Sequence, residues 1–288
     1  MARVDTDAFE AERPRLTGLA YRMLGSRAEA EDVVQDAWLR WHKTDRATIR
    51  VPAAWLTTAV TRLAIDRLRA AKSRRESYIG PWLPEPLVEA ADAGPPLDDG
   101  LGEISMALLV VLERLTPAER AAFLLHDVFD YDYGEIAAAL KRAEPACRQL
   151  VSRARKHVRA ERPRFDADRG ERERLLGAFV GAVQAGDLDA LVALLADDAT
   201  LISDGGGKAT AALNPIEGAT NVARFLLGVV GKAPADVQFR PVRVNGEPGM
   251  AAYIGGALQS VLTVAGDGAR VIAVHIVVNP DKLARIGA

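Results

Sequence analysis

Six side chains between positions 148 and 156, namely Arg148, Gln149, Ser152, Arg153, Arg155 and Lys156, have the chemistry to read duplex DNA. Guanidinium forks suit phosphates or guanine, while amide and hydroxyl groups reach base edges in the major groove. They occupy the arc left over by Cys147, Leu150, Val151, Ala154 and Val158, an apolar stripe at helical spacing. A shorter stripe, Ile136, Ala137 and Leu140, precedes it, so residues 133–158 read as two helices joined by a tight connection. From Lys141 to Arg164 nine Lys or Arg stand against two Glu, although the 288-residue chain carries a formal net charge of only -2. Taken alone, the pattern also fits an amphipathic helix pair with a solvated basic face.

A further helix must lead into that pair. LTPAERAAFLLHDVFDYDY offers Thr116 as a cap, Pro117 at the first helical position, and Phe123, Leu124, Val128 and Phe129 at helical spacing. Together, LTPAERAAFLLHDVFDYDYGEIAAAL and CRQLVSRARKHV resemble region 4 of the extracytoplasmic-function sigma factors of bacterial RNA polymerase. That resemblance implies a helix-turn-helix domain reading the -35 promoter element. The chain has Lys141 where the family commonly has glycine, and Ala143 where a hydroxyl cap is common. An αL glycine and a side-chain cap each stabilise such a turn by about 1 kcal/mol, and Pro145 offsets part of that loss at the helix start.

The amino end supplies a second match. LTGLAYRMLGSRAEAEDVVQDAWLRW, residues 16–41, shows an apolar helix, a Gly25-Ser26 break and a second helix with Val33, Val34, Ala37, Trp38 and Trp41 inward. Ser26 with Glu29 makes a capping-box pattern. As residues, Asp32 and Asp36 make an acidic helix edge of the kind that is usually solvated. By resemblance to sigma region 2, Asp32, Gln35, Asp36 and Leu39 form the surface for the clamp helices of the large polymerase subunit. The next helix, from Ala54, carries six cations between Arg62 and Arg75 against the single acid Asp66. It resembles regions 2.3 and 2.4, which implies that Arg62, Arg69 and Lys72, with the loop near residues 42–52, engage -10 DNA and an unstacked base. Trp38 and Trp55 are expected in the core.

After PRFDADRGERER the composition turns rich in Ala, Val, Leu and Gly. Helix, Gly186-Asp187 turn, helix and strand are followed by strands near 237–244, 250–254, 258–264 and 271–278, an α+β pattern with an antiparallel sheet. This part resembles the SnoaL-like members of the nuclear-transport-factor-2-like fold, a cone enclosing a pocket. With WLPEPL at 82–87, DGGGK at 204–208 and NPDKL at 279–283, the whole chain is identified as a member of the SigJ-like subgroup of extracytoplasmic-function sigma factors, which carry a fused SnoaL-like domain. The expected fold is multidomain: an all-α region 2 bundle over 1–77, a linker over 78–102, an all-α region 4 helix-turn-helix domain over 103–162, and an α+β SnoaL-like cone over 171–288.

The resemblance implies an RNA polymerase specificity subunit that partners core polymerase and promoter DNA and is controlled in cis by its third domain. Prolines make WLPEP a stiff extended segment, with Trp82, Leu83, Pro84, Glu85 and Pro86 as contacts. Asp204, Gly205, Gly206 and Gly207, together with Asn279, Pro280 and Asp281, complete the expected interdomain set, the glycines permitting close backbone approach. Asp198, Asn214 and His275 are the polar candidates for a pocket that takes a small ligand or, as in SnoaL-like cyclases, does acid–base work. A lone histidine is more often structural, so no catalysis is expected. Cys147, the single cysteine, excludes an internal disulfide and is expected in packing. Neither metal nor cofactor is expected, and without a signal pattern or an apolar run near 18 residues the protein is expected in the cytoplasm, off the membrane. The alternative class is a freestanding helix-turn-helix regulator whose carboxyl domain binds or converts a small molecule.

Overall fold

The computed structural model describes residues 2–92, 104–161 and 169–286. By its internal contacts the chain forms two units, residues 1–76, 96–104 and 111–160 in one and residues 77–95, 105–110 and 161–288 in the other. The later part of the expected linker, 93–102, and the junction at 162–168 lie outside the described residues.

The first unit is helical. Helix α1 (Ala2–Leu24) ends at Gly25, whose φ of 67° is the left-handed turn a glycine takes without strain. Ser26 then caps α2 (Arg27–Lys43) by accepting the Glu29 N–H. The long α3 (Pro52–Glu76) lies against both. Leu16, Leu19, Val33, Ala37, Leu56 and Val60 are fully or almost fully buried among them, and the Trp41 and Trp55 rings meet at 5.5 Å.

Downstream, α4 (Met106–Glu113), whose residues 106–110 group with the second unit, precedes α5 (Pro117–Phe123), whose start has a complete capping box between Thr116 and Glu119. A π-helical turn at Leu124–Val128 extends α5. Then come α6 (Tyr133–Leu140), capped by Asp132, and α7 (Glu144–Glu161). Lys141 closes α6 with φ 52° and ψ 48°, left-handed values without a glycine to carry them. Ala143 starts α7 with its carbonyl alone, accepting from Ala146 and Cys147.

In the second unit, linker residues Val88–Ala90 form a strand, β1. Helices α8 (Arg169–Ala185) and α9 (Leu188–Leu194) are followed by β2 (Leu195–Asp204), β3 (Ile216–Glu217) and α10 (Ala219–Val230). Strands β4 (Gln238–Val244), β5 (Glu247–Ile254), β6 (Ala257–Gly266) and β7 (Val271–Val277) lead to α11 (Pro280–Leu283). They make one seven-stranded sheet in the order β1-β4-β5-β6-β7-β2-β3. The expectation of an antiparallel sheet needs correcting at one place, because β2 runs parallel to β7. The chain crosses the whole meander between them.

Alternation along these strands divides the sheet into two faces. Val264 and Val274 pack with Phe179, Leu191, Leu201, Val222 and Leu226 under the helices α8, α9 and α10. On the other face Val242, Val244, Ala251, Val261 and Val277 gather around Leu83 of the linker and Leu283 of α11.

Candidate nucleic-acid interface and linker clasp

Helix α7 buries Cys147, Leu150, Val151, Ala154 and Val158 and leaves Arg148, Gln149, Ser152, Arg153 and Lys156 exposed, with Arg155 half-buried. Its sequence periodicity therefore dictates which side faces solvent. Tyr133, Arg148, Ser152, Arg155, Lys156 and Arg159 line one concavity, so four of the six expected DNA-reading side chains come together. The Arg148 guanidinium lies 4.2 Å over the Tyr133 ring and also pairs with Glu144 one turn back. Arg155 is held by the Asp127 carboxylate, a hydrogen bond that raises its pKa further. Arg153 turns elsewhere, donating to Glu119 at 2.7 Å. Burial opposes ionisation of Glu119, but the bonds from Arg153 and Thr116 outweigh it and hold its carboxyl below the usual range. Arg159 and Tyr133 were not singled out from sequence; Arg159 continues the 148, 152, 155 spacing by one more turn.

On α2, Asp32, Gln35 and Leu39 are exposed and Asp36 is half-buried, forming one edge. Arg67 of α3 reaches across to Asp36 at 3.2 Å and Asp32 at 3.8 Å, a partner sequence reading missed. Arg62 is placed differently from a free DNA contact. It donates to the Ala139 carbonyl at 2.8 Å and the Ala138 carbonyl at 2.7 Å, satisfying the terminal carbonyls of α6. Arg69 is exposed beside Asp66, and the side chain of Lys72 lies outside the described residues. Two more bridges join the early and late helices of this unit. Arg15 donates to Thr57 and to the Tyr131 hydroxyl, and Arg120 to the Met23 carbonyl and Glu113.

In the second unit the three motifs meet around one carboxylate. Asp204 is fully buried and accepts from the Tyr78 hydroxyl at 2.5 Å, the Leu83 N–H at 2.8 Å and the Lys282 ammonium at 2.5 Å. Lys282 also donates to the Leu83 carbonyl and lies 4.2 Å over the Trp82 ring. Asn279 donates to the Tyr78 oxygen at 2.8 Å while its own carbonyl oxygen caps α11. Burial first, then the bond to Asp204, pushes the Tyr78 hydroxyl far up from its ordinary pKa, so it stays a donor. Pro84, Glu85 and Pro86 are buried. Lys208 pairs with Asp281 at the rim.

The glycines let these segments touch. Gly206 has φ 60°, and a Cβ there would stand 2.2 Å from the Asn279 amide nitrogen and 3.0 Å from the Tyr78 oxygen. At Gly207, φ 71°, it would stand 2.7 Å from Ile79. Further along, β1 pairs antiparallel with β4, Val88 opposite Val244 and Ala90 opposite Val242. Asn245 fixes the register by bonding both the N–H and the carbonyl of Leu87, and Arg243 pairs with Glu89. Tyr78, Lys282, Glu89, Arg243 and Asn245 escaped the sequence reading, although Lys282 lies inside the NPDKL motif.

The expected polar pocket does not assemble. Asp198 and Asn214 are exposed, and neither they nor His275 line the cavity beneath α8 and α10. His275 is opposite Thr263 and beside Ile202 on the linker-facing side of the sheet, where Ala107 packs on Ala265 and Ala273. It is buried with Nδ1 unpartnered, and desolvation lowers its pKa to about 4. Among the described residues no group of His, Cys, Asp and Glu side chains is placed to hold a metal ion, and no helix is long and apolar enough to cross a membrane.

Comparison with known proteins matches three family models in succession: Sigma-70 region 2 over residues 8–74, Sigma-70 region 4 over residues 105–158 and a SnoaL-like domain over residues 176–283. The chain is 42% identical to the ECF RNA polymerase sigma factor SigJ of Mycobacterium tuberculosis, over 97% of this chain and 93% of that protein. It is 31% identical to the probable ECF RNA polymerase sigma factor SigI of the same species, over 96% of this chain and 93% of the relative. The crystal structure of M. tuberculosis SigJ superimposes with a TM-score of 0.77 at 40% identity, covering 97% of this chain and 98% of that one.

Proposed function

Because the chain belongs to the ECF RNA polymerase sigma factors that carry a C-terminal SnoaL-like domain, we propose that it directs core polymerase to promoters and that its own third domain sets this activity by holding the linker. In this reading Arg148, Gln149, Ser152, Arg153, Arg155 and Lys156 meet the -35 element, with phosphate contacts positioning the helix and side chains at base edges specifying sequence. The edge of Asp32, Gln35, Asp36 and Leu39 takes the clamp helices of polymerase. Arg62, Arg69 and Lys72 take the -10 strand once Arg62 leaves the carbonyls of α6.

The observation that supports control in cis is the capture of the linker: Leu83 through Asp204 and Lys282, and Val88–Ala90 as a strand against β4. A segment that joins the two DNA-reading parts is thereby fastened by the appended domain. Trp82 to Pro86, Asp204 to Gly207 and Asn279 to Asp281 are the control elements, with Tyr78 and Lys282 added. No acid–base group lines the cavity, so the reading assigns the domain no reaction.

The test is transcription from promoter libraries by purified core polymerase with the full chain, a chain ending near Arg164, and Asp204→Ala. Promoter-specific initiation by the full chain, altered in amount by both changes, is expected. Initiation equal in all three would remove the third domain from control. No initiation by any would leave the freestanding DNA-binding regulator.

A further inference from the structure

Five arginines line one cleft of about 840 Å³ in the helical unit: Arg69 of α3, Arg114 between α4 and α5, Arg120 of α5, Arg142 in the turn before α7, and Arg153 of α7. Two carboxylates stand among them, Glu113 held by Arg120 at 2.6 Å and Glu119 held by Arg153 at 2.7 Å. Five guanidiniums against two carboxylates leave a surplus of three positive charges. Asp66 lies 3.5 Å from Arg69, but both are exposed, and such a pair offsets little. Arg120 is 2% exposed and its Nε has no hydrogen-bond partner. A buried donor in that condition is costly until an acceptor reaches it. Leu68, Leu115 and Leu150 add an apolar wall. The volume falls within the range of small-ligand sites, about 300–1,000 Å³.

We infer that this cleft is a binding site for a small polyphosphate, either an inorganic chain or a nucleoside di- or triphosphate, and that its occupancy opposes DNA binding. Several guanidiniums around one space suit an anion with several charges on neighbouring tetrahedral centres, because each fork takes two phosphate oxygens and a lone carboxylate answers only one fork. The site stands apart from the function proposed above; the opposition to DNA rests on that reading. Arg69 belongs to the -10 set and Arg153 to the -35 set, yet both line this cleft. Arg153 is already turned towards Glu119, off the concavity that Arg148, Arg155 and Lys156 share. A polyphosphate here would occupy one cation of each set. It would also tie α3 to α5 and α7, adding to the hold that Arg62 has on the end of α6.

Tripolyphosphate, ATP and adenosine are each titrated against the full chain by calorimetry at about 0.15 M salt, where exposed charges are screened beyond about 8 Å. Saturable binding of tripolyphosphate and ATP, and none of adenosine, is expected. Equal affinity for the first two makes the phosphate chain the ligand; tighter ATP makes it a nucleotide whose base meets the leucine wall. Arg142→Ala, at an exposed position, should weaken both by about tenfold, the loss of one charge-assisted contact. Arg114→Ala serves if that variant fails to fold. Lys156→Ala, in the α7 concavity, should change polyphosphate affinity by less than about twofold. With tripolyphosphate at about ten times its Kd, apparent affinity for duplex DNA should fall by about tenfold in the unaltered chain and about twofold in Arg142→Ala. Three results overturn the site: no saturable polyphosphate binding, equal losses in Lys156→Ala and Arg142→Ala, or a Glu-rich peptide bound as tightly as tripolyphosphate. Binding that leaves DNA affinity unchanged overturns the opposition. Initiation of transcription is read separately, without added tripolyphosphate, so the failure of that reading and of this one are told apart.

Discussion

The hydroxyl of Tyr78 donates to the buried carboxylate of Asp204 across 126 positions of chain. The same carboxylate neutralises Lys282 and accepts the Leu83 N–H, so one side chain satisfies groups from the linker and from the chain's end. Asp204→Ala removes a charge from a buried pair and takes one acceptor from each of three donors. Breaking such a pair costs about 3 kcal/mol, and Tyr78→Phe, which leaves Asp204 two donors, about 1 kcal/mol. Denaturant unfolding followed at the tryptophans checks the order; equal losses in the two variants would refute the central place given to Asp204.

Two glycines with similar φ separate strain from crowding. Gly206→Ala meets Asn279 and Tyr78, whereas Gly255→Ala, φ 56°, meets nothing within 4 Å. Both pay about 1 kcal/mol for a left-handed alanine, and only Gly206→Ala should also speed amide exchange in the linker strand. Matching exchange in both variants would show that Gly206 is an ordinary turn.

Folding stability should fall in mild acid. The pKa of His275 is lowered from 6.5 to about 4 in the fold, so the unfolded chain binds the proton first. Its contribution is complete above pH 6.5 and is lost as pH falls towards 4, about 3 kcal/mol in all at one proton per unit. Between pH 7 and pH 4 the unfolding free energy of the protein should fall by about 3 kcal/mol more than that of His275→Gln. Parallel curves would contradict the burial.

The turn between α6 and α7 leaves room for improvement. Lys141→Gly relieves a left-handed lysine and should add about 0.5–1 kcal/mol. Ala143→Ser gives α7 a side-chain cap, also about 1 kcal/mol. Thermal melts of each variant and of the pair test this, with an unchanged Tm in Lys141→Gly counting against the strain.

Opposite signs are expected for two changes at the α7 concavity. Lys156→Ala should lower affinity for duplex DNA and reduce the salt slope by about 0.9. Asp127→Asn loosens Arg155 and should raise affinity in low salt. Anisotropy titrations over a range of salt measure both; a weaker-binding Asp127→Asn would mean that the ion pair orients Arg155 for contact.

Local signals made the helical half legible. Thr116, Pro117 and the stripe from Cys147 to Val158 each act within a few positions, and the helix ends follow them. The positions of Lys141 and Ala143 could be read as departures because the resemblance supplied a pattern to depart from. Partners far apart in sequence left no such trace. VEA at 88–90 has too few residues to alternate, and its strand exists because Val242 to Val244 lie beside it. Parity along β7 placed His275 with Ala273 and Val277, yet parity tells only which residues share a face, not which face looks into the cone. Asp204 and Lys282 were inside quoted motifs, but their pairing depends on β2 running parallel to β7 and carrying Asp204 to Val277.

Because the linker supplies β1, it is also the border strand of the sheet, and its departure would bare the outer rim of β4. Open rims of this kind recruit foreign strands. Pro241 has no N–H to offer there, and Arg240 and Arg243 add charge, features that discourage self-pairing. A release of the linker would thus turn a tether into an acceptor slot guarded against a second copy of itself.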